Sequence, residues 1–155
     1  MQINFAVEPL VREAFAAAIG RDIDRSIAAL QAMAKDGEDV IRDCVTLATA
    51  ISSTALLDIS GGQAPSIDEL RQRAAQLVDM QAWANITELD AHALLCALAG
   101  HTDRSVLPPE TYIRVIFAAG AWLLGAFGPL ERSWYAYLDE ILTRLETNEL
   151  TEDGS

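Results

Sequence analysis

Apolar residues recur every three to four positions through most of this chain, the spacing that gathers them on one face of an α-helix. The opening residues follow another rule. Ile3, Phe5 and Val7 alternate with Gln2, Asn4 and Ala6, which reads as an extended arm over residues 1–7. Pro9 suits a first helical turn, where its missing N–H has no intrahelical partner, and Gly20 suits an end, so a first helix is expected over residues 8–20. Asp22 or Asp24 caps a second helix, whose apolar side is Ile23, Ile27, Leu30 and Ala34 and which Asp36-Gly37 closes. The third has the cleanest period. Val40, Ile41, Cys44, Leu47, Ala48, Ile51 and Ala55 fall on one side, while Asp39, Arg42, Asp43, Thr46 and Ser53 fall elsewhere.

Gly61-Gly62 and Pro65 break the pattern, and Ser66-Ile67-Asp68-Glu69 then restarts it with the spacing of a capping box. The fourth helix presents Ile67, Leu70, Ala74, Leu77 and Val78. A turn around Asn85 leads to Thr87-Glu88-Leu89-Asp90, a looser cap, and to a fifth helix ending at Ala99 before Gly100. Residues 101–107 form a loop, Pro108-Pro109 opens a sixth helix, and Gly128-Pro129 separates it from a seventh with Leu130, Trp134, Leu138, Ile141 and Leu145 in helical register. Residues 147–155 are polar and are expected to fray. The expectation is an all-α, single-domain globular bundle of six to seven helices over residues 1–146, with the fifth and sixth helices most buried. No internal repeat of fixed period emerges.

Composition narrows the function more than it defines one. The chain has 155 residues with 11 basic and 23 acidic side chains, a formal net charge of -12, so nucleic acid and anionic membrane are not expected partners. A basic protein partner fits better. Helix 7 and its tail also concentrate negative charge, and Glu146, Glu149 and Glu152 stand there with few basic neighbours and would steer such a partner. Residues 115–130 carry no charge, but the run is short of the roughly 20 residues that span a bilayer. With no cationic, apolar leader at the start, a cytoplasmic location is expected.

The sharpest constellation for chemistry is Glu88, His92 and Cys96, spaced four apart on the fifth helix. A tetrahedral zinc site would need a fourth ligand, either a water or His101 or Cys44 if the fold brings one of them near. Paired short-spacing ligands are missing, and Cys96 sits in an apolar run, so core packing explains the stripe better. No metal, cofactor or catalytic residue is expected. Asp39 and Asp43 lack the glycine-punctuated loop of a calcium site. There is no phosphate-binding glycine loop, no nucleophile elbow and no His-Glu-x-x-His.

Ala118, Ala121 and Gly125 form a small-residue stripe on the sixth helix that admits a close neighbour, from within the chain or from a second copy. Trp122, Phe127, Trp134, Tyr135 and Tyr137 gather nearby and are the candidate interaction residues, although core packing is the favoured account of such an aromatic cluster. These patterns favour a non-enzymatic protein-interaction module of adaptor, regulator or inhibitor type that forms a homodimer. The alternative is an all-α small-molecule-binding domain with an apolar pocket formed by helices 5 to 7. A metal- or thiol-dependent enzyme is a third class.

Overall fold

The computed structural model describes the backbone of residues 3–102, 107–126 and 133–154, and their side chains up to residue 147 apart from that of residue 126. Among the described residues there are seven α-helices: α1 (Glu8–Ile19), α2 (Ile23–Lys35), α3 (Glu38–Ile59), α4 (Ile67–Met80), α5 (Glu88–Leu98), α6 (Pro109–Ala126) and α7 (Trp134–Gly154). A single 3-10 turn, Ala82–Ala84, lies between α4 and α5. The fold is an all-α helical bundle. Among the described residues there is no strand.

Local chemistry sets the helix boundaries. Asp22 Oδ1 accepts from the Arg25 amide at the start of α2, Ser66 Oγ from Glu69 at the start of α4, and Thr87 Oγ1 from Asp90 at the start of α5. Each bond satisfies a backbone donor that a helical first turn leaves without a partner. Asn85 takes a left-handed conformation at φ 53°, one that asparagine tolerates better than most residues, and so reverses the chain before α5.

Two boundaries differ from the sequence pattern. Residues 5–7 turn instead of extending, because Asn4 accepts from Ala6 through its side chain and from Val7 and Glu8 through its carbonyl. That turn tucks Ile3 and Val7 into the core and leaves Phe5 outside. At the other end α7 continues to Gly154, beyond residue 146, and no glycine or proline interrupts it earlier.

Helix α6 lies at the centre, packed against α1, α3, α4, α5 and α7. Every residue from 115 to 124 is buried. The close approach has a specific cause at Gly120, where a Cβ would meet the Phe15 ring of α1 and lie 2.6 Å from Ser52 Oγ of α3. Of the small-residue stripe, Ala118 and Ala121 are buried, while Gly125 is exposed beside Ile19. The stripe therefore serves packing inside the chain. Helix α3 is long and apolar enough to cross a membrane, and here Cys44, Leu47, Ala48, Ile51, Ala55 and Leu56 commit one side of it to the core.

The second helix is oriented differently from its pattern. Ala29 and Met33 are its buried residues, and Ile23 and Ile27 remain 50% and 49% exposed. The helix is turned by roughly a quarter of a revolution, at 100° per residue, from the orientation in which its isoleucines would face inward. Arg25 of α2 donates two bonds to Glu13 of α1 across the exposed side of this contact, at 2.5 and 2.9 Å.

Candidate functional site

The rotation of α2 opens an apolar groove. It is lined by Ile23, Ile27 and Leu30 of α2, Ala14 and Ala18 of α1, Trp83 of the 3-10 turn and Phe117 and Ala118 of α6, and has a volume of about 190 Å³. Trp83 is fixed there because its indole N–H donates to Gln81 Oε1 at 2.5 Å, while the Gln81 amide donates to the Ala118 carbonyl of α6 at 3.3 Å. A buried glutamine thus ties the turn after α4 to the central helix. Two polar groups line the same groove. Ser26 contributes a hydroxyl shielded from solvent and without a hydrogen-bond partner, and Arg114 contributes an exposed guanidinium. Among the described residues Arg114 has no carboxylate partner, in contrast to Arg12, Arg25, Arg42, Arg71 and Arg144.

These walls are not the ones expected from sequence, which placed a pocket among helices 5 to 7. Periodicity shows which residues share a face of a helix, but not how that face is set against its neighbours. The half-exposed isoleucines of α2, which the sequence pattern gives as the apolar side of that helix, mark this site.

The zinc-ligand stripe resolves into structural bonds. His92 Nε2 lies 3.1 Å from the Ile67 carbonyl and 3.4 Å from Cys96 Sγ. A carbonyl oxygen can only accept, so that nitrogen carries a proton and cannot take one from the thiol. His101 Nε2 makes the equivalent bond to the Pro65 carbonyl at 2.6 Å. Both histidines therefore fasten the start of α4 to α5 and to the residues just after it. Glu88 is exposed, and no three His, Cys, Asp or Glu side chains among the described residues converge as metal ligands.

Both cysteines are free and buried. Burial, with Asp43 and Asp36 nearby, pushes the Cys44 thiol up to about 11, and burial also raises Cys96. A nucleophilic thiol needs the opposite shift. The Cys44 thiolate fraction near neutral pH is lowered about a hundredfold, so native protein is expected to alkylate at this site at least that much more slowly than denatured protein. Mass spectrometry of timed iodoacetamide labelling would measure this. Rapid native labelling of either cysteine would reverse the assignment.

The aromatic candidates separate. Trp122 and Tyr137 are buried, whereas Tyr135 is 56% exposed and meets the partly buried Trp134 edge to face, with ring centroids 5.8 Å apart. Glu146 is exposed. Phe127 and the side chains of Glu149 and Glu152 lie outside the described residues, as do Asp103 and Arg104 of the loop after His101.

Sequence reasoning missed one polar cluster altogether. The Tyr137 hydroxyl of α7 donates to Asp58 Oδ2 of α3 at 2.5 Å, and Arg144 grips the same carboxylate with Nη1 and Nη2 at 3.0 and 2.5 Å. The Arg144 hydrogen bonds hold the Asp58 carboxyl below its ordinary range, helped by Tyr137. Burial, with the bond to Asp58 second, pushes the Tyr137 phenol up. The cluster joins the end of α3 to α7 and is a structural clamp.

Comparison with protein-family models, curated proteins and solved structures finds no match, so the chemistry of the groove rests on this chain's own residues.

Proposed function

We propose that this chain is a non-enzymatic all-α binding module whose ligand occupies the groove between α1, α2, the 3-10 turn and α6. The observation that carries the reading is the placement of Ile23 and Ile27. Two large aliphatic side chains stay half-exposed while lining a recess that is otherwise apolar except for Ser26 and Arg114. Burying such side chains on binding contributes about 25 cal/mol for each Å² of apolar surface removed from water. The recess gives a ligand walls on several sides, which a flat patch does not.

Interaction with a protein partner, including a second copy of the chain, is the second reading. It is favoured by the same half-exposed isoleucines together with the acidic surface, which suits a basic partner. One substitution distinguishes the two. Ile27→Glu changes a half-exposed position and is expected to leave the fold intact, while placing a charge in the groove. Nile red, a neutral apolar dye, is expected to fluoresce with the native protein and to lose at least about tenfold in affinity in the variant, a change of about 1.4 kcal/mol. Light scattering at 16.8 kDa for both proteins would leave the ligand groove as the reading, and a native mass twice that value, lost in the variant, would favour self-association. Dye binding unchanged by Ile27→Glu would remove the groove from consideration.

A further inference from the structure

Resting on that reading of the groove, we infer that its ligand is a carboxylate on a short apolar body, the carboxylate meeting Arg114 and Ser26 and the body lying on Ile27 and Trp83. Three observations converge. The groove volume of about 190 Å³ exceeds a cavity known to hold benzene, of about 150 Å³, by only about one or two methylene groups, so the body is one ring or a chain of roughly six to eight carbons. The groove is lined by apolar side chains except for two polar ones, and both can donate hydrogen bonds to an anion. Among the described residues Arg114 is without an acidic partner, whereas most of the other described arginines have one.

The charge of the ligand follows from the same inventory. A planar guanidinium matches a carboxylate with two parallel N–H···O bonds. One cation balances one negative charge. A phosphate dianion would bring a second charge into a protein of net charge -12 with no second groove cation to meet it. The Ser26 hydroxyl is shielded from water and unpaired, so a ligand oxygen would supply a bond the groove otherwise lacks. A neutral apolar ligand would fill the same volume, leave the Ser26 hydroxyl without a partner and make no use of the Arg114 charge.

Calorimetry of the full chain with octanoate and with 1-octanol tests the assignment. Octanoate is expected to bind one per chain, at least about tenfold tighter than octanol, the lower end of what a hydrogen bond to a charged group supplies. Arg114 is exposed, so Arg114→Gln is expected to fold normally, which thermal melting checks. This variant is expected to abolish the preference and to leave octanol affinity unchanged. Equal affinities in the native protein, or a preference that survives Arg114→Gln, would overturn the carboxylate and leave the groove standing as an apolar site. Failure of both ligands to bind, or binding insensitive to Ile27→Glu, would overturn both the carboxylate and the groove.

Discussion

Gly120→Ala is expected to lower stability by about 2 kcal/mol, although alanine is the better helix former by nearly 1 kcal/mol. The reason is the space in which α6 crosses α1 and α3. A Cβ at residue 120 would press on the Phe15 ring and come within 2.6 Å of Ser52 Oγ. Neither neighbour has free room. Phe15 is fully buried and its ring lies 5.4 Å from that of Phe117, and Ser52 is fully buried as well. Overpacking of a filled core costs about 1 to 3 kcal/mol, and contacts this short place the cost at the upper end. For a domain of this size the net loss corresponds to a fall in Tm of about 4 to 8 °C.

Ser52→Ala offers a control within the same contact. Its Oγ is buried without a hydrogen-bond partner, so removing it alone is expected to be neutral or slightly stabilising. In combination with Gly120→Ala it removes one of the two clashes and is expected to recover part of the loss, with a coupling of about 0.5 to 1 kcal/mol. Gly120→Leu is expected not to fold. If Gly120→Ala raises Tm, as an exposed helical glycine would, the close crossing of the three helices is wrong.

Residues that act within a few positions of one another could be read directly. Asp22, Ser66 and Thr87 cap the helices they precede, Pro9 and Pro109 sit in first turns, and Gly100 follows the end of α5, because each effect depends on adjacent backbone groups alone. Long-range geometry was not legible. The α2 isoleucines mark an apolar face, but the neighbouring stripe of Ala29 and Met33 is the one that meets the core. Hydrophobic periodicity assigns residues to faces and leaves open which of two overlapping faces is turned inward. Leu30 belongs to both, and it is partly buried. Gly120 carried no local signal, since its requirement comes from Phe15 and Ser52, far away in the chain. The two histidines were read as candidate ligands because residue type and spacing cannot show that a carbonyl already occupies Nε2.

The polar clamp between α3 and α7 lies beyond local reading for the same reason, since Asp58 is 79 residues from Tyr137 and 86 from Arg144. Asp58→Ala is expected to destabilise the chain by about 2 kcal/mol, most of it from Tyr137. That residue is buried, and its hydroxyl would lose its acceptor, a loss of about 1 to 3 kcal/mol. The Arg144 pair contributes less, because both its side chains are partly exposed and water screens them. The pH dependence separates the members of the cluster. Asp58 has a depressed folded pKa, so its contribution is present above the unfolded value near 3.9 and is lost as pH falls through the folded one. Tyr137 has a raised folded pKa, so its contribution is complete below the unfolded value near 10 and is lost as pH rises through the folded one. Relative to native protein, Asp58→Asn should therefore show its deficit at neutral pH and lose it in acid. Tyr137→Phe should show a smaller deficit of about 1 kcal/mol, which disappears in alkali. Urea midpoints measured across this range give both differences, and a pH-independent deficit in either variant would mean that the clamp acts by shape and not by charge.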